Sequence, residues 1–293
     1  MADQIPTTRV PGEDDRAEGC TVTRYGSGTS ACAADAIAIE EPLELRLAFG
    51  KHDKRQEVSL SITMRTPGAD SELAVGFLFG EGMIRGAGDV ISAAPCGPPV
   101  AGKSIHNVVR VELAADVAVD PERLLRHFYT TSSCGVCGKA SLDALRQQPR
   151  ITSHDTGFTI PAAALQQLPA MLARRQATFA QTGGLHCAGV FDAQGVLSDS
   201  FEDVGRHNAL DKLVGSAVLS GSVPWSSRGV MLSGRSSFEL LQKAMMAGVP
   251  LVAAIGAPSS LAIELAEEFG ITLVGFLRED GFNVYCHAHR VRG

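Results

Sequence analysis

From Val230 onward, short apolar runs and helix-length segments take turns, and that rhythm limits the possible fold more than any other feature of the chain. Val230–Leu232, Leu251–Ile255 and Ile271–Phe276 read as buried strands, and Ser237–Met246 and Ser259–Phe269 read as the helices between them. Strands alternating with helices of this length predict a parallel or mixed sheet covered by helices. Each connection then crosses the sheet right-handedly, laying its helix on a face. Upstream, Pro161 opens a longer helix with Leu165, Leu168, Met171 and Leu172 on one side. Residues 151–293 are therefore expected to form an α/β unit.

The first half has a different pattern. Leu43–Leu47 and Val58–Met64 alternate apolar and polar residues, as half-buried strands do, with Lys51-His52-Asp53 as the turn between them. Thr66-Pro67-Gly68 closes the second strand. A helix capped by Asp70 or Ser71 is expected through Leu73, Phe77, Leu78 and Met83, weakened by Gly76 and Gly80. Another strand covers His106–Leu113. Residues 21–130 thus read as an antiparallel β-rich part with one helix. Pro121–Tyr129 reads as a short helix leading to residues 131–150, a cysteine loop and the helix after it. Residues 1–20 read as a disordered tail, because Met1–Glu18 is acidic, holds two prolines and lacks the pattern of a signal peptide. There is no internal repeat.

Composition excludes several classes of function. The 45% hydrophobic content supports a core, and a net charge of −6 argues against a general nucleic-acid surface while allowing a local basic pocket. No apolar run reaches the roughly eighteen residues of a membrane span. Seven cysteines without an export signal point to a reduced, cytoplasmic protein and not to a disulfide scaffold. Cys20, Cys32, Cys96 and Cys286 are expected to be small buried hydrophobes.

Chemistry concentrates at Thr130-Thr131-Ser132-Ser133-Cys134-Gly135-Val136-Cys137-Gly138-Lys139. Close spacing, a nearby cation and a following helix start each favour the thiolate, the reactive form of cysteine. Gly135 and Gly138 remove bulk around both sulfurs. The pair reads as exposed and reactive on a mobile loop, with half of a structural metal site as the alternative. A zinc site would need two more ligands from His186, Cys187, His287 or His289, and His287-x-His289 is too tight for the usual spacing. No metal is expected. A thioredoxin-like role would place the motif after an early strand of a βαβ unit, whereas here it falls mid-chain.

Three other stretches suit an anion. Ser233-Gly234-Arg235-Ser236-Ser237 joins a strand to a helix start, and reads either as a phosphate cradle or as a plain βα turn with an exposed arginine. Phe276-Leu277-Arg278-Glu279-Asp280-Gly281 follows the last parallel strand, where open α/β sheets bind ligands; an Asp-Gly turn between two strands is the alternative. In the run Glu202–Lys212, Arg206, His207 and Lys212 suit phosphate and Asp203 suits orienting a partner. A solvated helix start would explain the same residues. His186, before a strand, reads as a ligand neighbour or as a structural residue.

Taken together and in this order, Ser132–Gly138, Glu202–Lys212, Ser233–Ser237 and Phe276-Leu277-Arg278 resemble the FdhD/NarQ family. Met64–Gly68 and Glu72–Leu78 extend the likeness, which runs from Glu41 to the end of the chain. The resemblance implies a cytoplasmic sulfurtransferase that takes persulfide sulfur from a cysteine desulfurase and delivers it to the molybdenum cofactor of formate dehydrogenase. It implies a cytidine-deaminase-like layered fold with an added β-rich part, and a homodimer. The implied ligand is the bis(molybdopterin guanine dinucleotide) form of the cofactor, for which GDP is a surrogate. By motif, Cys134 bears the persulfide and Cys137 is its auxiliary thiol. Phe276, Leu277, Arg278, Glu279, Asp280 and Gly281 bind the cofactor, helped by Gly234, Arg235 and Ser236. Glu279 and Asp280 suit a pyrophosphate less than Arg278 and the backbone do. Two rival roles are a cofactor-holding chaperone and a dithiol oxidoreductase.

Overall fold

The computed structural model describes residues 16–26, 28–51, 54–101, 103–119 and 157–293. Cys134 and Cys137, the expected helix at Pro121–Tyr129 and the expected helix from Lys139 lie outside them.

Six strands make the larger sheet: β8 (His186–Phe191), β9 (Leu197–Asp203), β10 (Gly229–Leu232), β11 (Leu251–Ala254), β12 (Thr272–Gly275) and β13 (Asn283–Cys286). Their spatial order is β13-β12-β11-β10-β8-β9. The β10–β11 and β11–β12 pairs are parallel, and the outer pairs are antiparallel. The three central strands read as unbroken apolar runs because both of their faces are covered. Val230, Leu232, Val252, Ala254 and Leu273 face one cluster, and Met231, Leu251, Ala253 and Val274 face another. The second face is closed by Leu165, Leu168 and Leu172 of α2 (Ala162–Ala173).

The other sheet, in the first half, has the order β4-β3-β6-β5, from β3 (Glu41–Phe49), β4 (Gln56–Arg65), β5 (Val90–Pro95) and β6 (Val108–Leu113). It is not purely antiparallel as expected, because β3 and β6 run parallel. The intervening chain carries α1 (Asp70–Gly80), a connection long enough to return the strand in the same direction. In β4 the alternation breaks after Leu60, where a register shift lies opposite Leu45 and Arg46. Beyond it Ile62 and Met64 are exposed and Arg65 is fully buried.

Residues 17–20, expected within the tail, belong instead to a strand. β1 (Ala17–Gly26) pairs in antiparallel register with β2 (Thr29–Ala38), and the hairpin leans on α3 (Ala177–Thr182). Near the end of the chain, β7 (Ile160–Pro161) pairs with β14 (Val291–Arg292). Among the described residues no helix is long and apolar enough to cross a membrane.

α1, α4 (Arg206–Leu219), α5 (Phe238–Met246) and α6 (Ser260–Glu268) bury apolar side chains in one cluster with residues of both sheets. α1 and α4 touch at the backbone. A Cβ at Gly76 would stand 1.9 Å from Asp211 O, and one at Gly215 would stand 1.8 Å from Glu72 O. Gly76, which weakens α1 in isolation, is what lets α1 meet α4. Neither Asp70 nor Ser71 is the expected cap: Ala69 occupies that place with a left-handed backbone. Asp70 instead receives two hydrogen bonds from Arg65, both at 2.9 Å, and Ser71 Oγ donates to Ala93 O.

In an exposed helix, Gly→Ala stabilises by about 1 kcal/mol. At Gly215 the sign reverses. Gly215→Ala is expected to lose about 1–3 kcal/mol or more in chemical denaturation, because the extra methyl separates the helices; a stabilised variant would contradict the packing.

Candidate functional site

The carboxyl ends of β10, β11 and β12 open onto one side of the larger sheet, and the loops leaving them are laced together by backbone hydrogen bonds. Gly256 N donates to Gly234 O (2.9 Å), Ser236 N to Ala257 O (3.2 Å) and Phe276 N to Gly256 O (3.2 Å). Gly256 permits this approach, since a Cβ there would lie 2.9 Å from the Arg235 backbone. The Gly234–Ser236 and Phe276–Gly281 stretches, distant in sequence, thus meet at a single edge.

Their side chains divide. Arg235, Phe276, Arg278, Glu279 and Asp280 are exposed. Phe276 holds φ at 53°, an unusual angle for a residue with a side chain, and presents its ring to solvent. Leu277 points the other way, into the core, so only its backbone belongs to this edge. Ser236 is also fully buried, and its hydroxyl has no hydrogen-bond partner among the described residues. Arg278 Nη1 donates to Ile255 O (2.8 Å) and Leu277 O (3.0 Å), which fixes the guanidinium over the β11 loop. Arg278 N donates to Gly281 O, closing the Asp280-Gly281 turn between β12 and β13.

The same edge receives the start of β8 and the start of α4. The ring of His186 lies against Gly234, where an added Cβ would be 3.3 Å from Nδ1. His207 Nε2 is 3.4 Å from Ser237 Oγ and 3.8 Å from Glu239 Oε2 at the start of α5. Arg206 Nε is buried without a hydrogen-bond partner among the described residues. Burial, then Arg206 and Arg235, hold His186 below the usual imidazole range. Burial, Arg206 and Lys243 push His207 down to about 4, against the pull of Glu239.

Much of the Glu202–Lys212 run is structural. Lys212 is buried and paired with Asp203 at 2.7 Å, and it donates to Thr66 O at 2.8 Å. It does not reach the edge where a phosphate would sit. Asp203 also accepts from the N–H groups of Thr66 and Gly205 and from Asn208. Glu202 accepts from the N–H groups of Thr178 and Phe179 at the start of α3. Ser233 Oγ is engaged by Cys187 N. One pair had no signal in the sequence: Lys243 of α5 meets Asp211 of α4 at 2.8 Å, both buried, with Lys243 Nζ over the Phe77 ring.

Of the cysteines expected to be buried, only Cys286 is; Cys20 and Cys96 are half-buried and Cys32 is exposed. Cys187 is buried as well. Burial pushes the Cys187 thiol up to about 12 and the Cys286 thiol up to about 11, so both stay protonated and unreactive at neutral pH. His287 Nε2 donates to Glu267 O, 3.1 Å away, and the ring meets His289 edge to face.

A laced loop edge on an α/β sheet, with arginines and glycines beyond the strand ends, lies where open α/β sheets place their ligand sites. More specifically, residues 38–292 match the FdhD/NarQ family model, and this chain belongs to that family. It is 50% identical over 272 residues to a protein of Streptomyces avermitilis named sulfur carrier protein FdhD, covering 92% of this chain and 94% of that one. A protein of the same name from Mycolicibacterium paratuberculosis is 46% identical over 273 residues, covering 92% and 97%. A crystal structure from Desulfotalea psychrophila, described as a candidate formate dehydrogenase accessory protein, superposes with a TM-score of 0.71. That match covers 94% of this chain and 100% of the other, at 23% identity, and it supports the mixed α/β fold.

Lys212→Met would strand Asp203 as a buried, unpaired charge and is expected to lose about 3–5 kcal/mol of stability. A small loss in urea unfolding would contradict the clamp. The low pKa of His207 has its own consequence. An unfolded imidazole titrates near its ordinary value of 6.5, so between there and about 4 the unfolded chain binds the extra proton. Stability is therefore expected to fall as pH drops through that window, and less steeply in His207→Gln; equal slopes in both proteins would contradict the burial of His207.

Proposed function

We propose that this protein is a sulfur carrier that accepts a persulfide sulfur on Cys134 and passes it to a molybdenum cofactor held at the loop edge. The observation that carries this is the near-full-length similarity to proteins named as sulfur carriers, joined to a Cys134-Gly135-Val136-Cys137 motif of reactive character. The donor is a cysteine desulfurase, and the client is a formate dehydrogenase. The thiolate of Cys134 attacks the terminal sulfur of the donor's persulfide. A new S–S bond forms on Cys134 as the donor's S–S bond breaks, and the donor leaves as its thiolate. Cys137 serves as auxiliary thiol. The high proton affinities of Cys187 and Cys286 are consistent with a carrier sulfur elsewhere in the chain.

The cofactor is cargo here, and its guanine dinucleotide arms suit the residues that meet at the loop edge. Phosphates on an acidic protein need local cations, and Arg235 and Arg278 are exposed there without an ion pair among the described residues. Phe276 offers an exposed ring for a base. Glu279 and Asp280 contribute their backbone. On this account the six-stranded sheet and its helices form the cytidine-deaminase-like part, the four-stranded sheet is the added part, and the protein works as a cytoplasmic homodimer.

Incubation with a cysteine desulfurase and isotope-labelled cysteine is expected to add about 32 Da to the Cys134 peptide, and Cys134→Ser is expected to end client activation without unfolding the protein. A Cys134–Cys137 disulfide with reductase activity would favour an oxidoreductase. Client activation that survives Cys134→Ala would favour a cofactor-holding chaperone. Arg278→Ala is expected to weaken guanine-nucleotide binding by about 1.5–3 kcal/mol; an unchanged Kd would remove Arg278 from the site.

A further inference from the structure

The proposed function leaves two imidazoles unused. His186 from β8 and His207 from α4 stand at the same edge as Gly234 and Arg235, and the charge of Arg206 acts on both. Around His207 are Arg206 on its own helix, Lys243 and Glu239 on α5, and His186 on β8. Around His186 are Arg206, Arg235 and Asp203. The carboxylates offset the cations only in part, Glu239 at His207 and Asp203 at His186. Asp203 and Asp211 are each engaged by a buried lysine, and Glu239 stands 3.8 Å from His207. Neither Arg206 nor Arg235 makes an ion pair among the described residues, and Arg206 Nε is buried without a partner. α4 also begins without a side-chain cap, whereas at the start of α5 the Glu239 carboxylate accepts from its own N–H and from the Ser237 side chain. This is a place with surplus positive charge and open donors.

We propose that Arg206, Arg235, His186 and His207 form a phosphate subsite of the loop edge, and that a pyrophosphate diester entering it draws a proton from solvent onto the imidazole pair. The physical reason is the repulsion itself. With the subsite empty, burial and nearby cations, Arg206 and Arg235 at His186 and Arg206 and Lys243 at His207, favour the neutral form of both rings, and each neutral ring offers one N–H. An anion between the guanidinium groups cancels their repulsion and supplies an acceptor, so the charged imidazole becomes the favoured form. Linkage then requires ligand affinity to rise as pH falls. Proton and cargo are taken together and given up together.

This proposal rests on the nucleotide site described above, and the test separates the two. The probe is diguanosine pyrophosphate, whose diester bridge holds constant charge between about pH 5 and pH 8, where imidazoles titrate. Calorimetry at about pH 6 in buffers of different ionisation enthalpy is expected to show net proton uptake, with affinity at least about threefold tighter at pH 5.5 than at pH 7.5. His207→Gln and His186→Gln are each expected to bind with less uptake and a flatter pH dependence. Should either variant fail to fold, the imidazole nitrogen resonances of His207 in the wild-type protein are expected to move toward the protonated form on adding the probe. Binding without uptake, or uptake unchanged in both variants, overturns the imidazole proposal and leaves the nucleotide site standing. No binding at any pH overturns both.

Discussion

Where α1 crosses α4, two helices touch at their backbones, and the rest of the architecture follows from that contact. Gly76 and Gly215 remove the side chains that would hold the axes apart. Asp211 lies at the contact, and its carboxylate is taken by Lys243 from α5. The next residue, Lys212, reaches Asp203 and Thr66 O, so α4 is tied both to the end of β9 and to the end of β4. Arg65, fully buried, completes the frame by binding Asp70 and the carbonyl of His106. Charges this deeply buried cost desolvation unless their partners are in place, so the pairs enforce one arrangement more than they add stability.

That frame gives the loop edge its geometry. The start of α4 is held by Asp203, which accepts from Gly205 N and Asn208. Arg206 and His207 are thereby delivered beside the β10–α5 loop, where Arg235 emerges. On an acidic chain, Arg206 and Arg235 make this a local patch of cations, balanced only in part by Glu239, of the kind that suits an anion. The deeply buried thiols of Cys187 and Cys286 sit within the sheet and its packing, apart from this chemistry.

The α/β half was largely legible in the sequence because its central strands are covered on both faces and one of its helices, α6, starts at an ordinary serine cap. Ser259, whose hydroxyl accepts from Ala262 N, is such a cap. The first half was legible as strands but not as a sheet: alternation encodes which face is buried and says nothing of which strand lies alongside, so the parallel β3–β6 pairing was missed. Residue type alone also misread Lys212 and Gly76. A lysine in a polar run looks like an anion ligand until the aspartate nine positions earlier is seen to fold back on it. A glycine in a helix looks like a defect until another helix is pressed against it. At the candidate site, the motifs mark loops that the fold brings to one edge, but burial separates Leu277 and Ser236 from the exposed Arg235, Phe276 and Arg278.

The central claim is that the motifs joined at the ends of β10, β11 and β12 hold a guanine dinucleotide. A crystal structure with GDP bound tests it most directly. The base is expected by Phe276 and the phosphates among Arg278, Arg235, Arg206 and the start of α4. Density for the nucleotide on another face, with these loops bare, would contradict it.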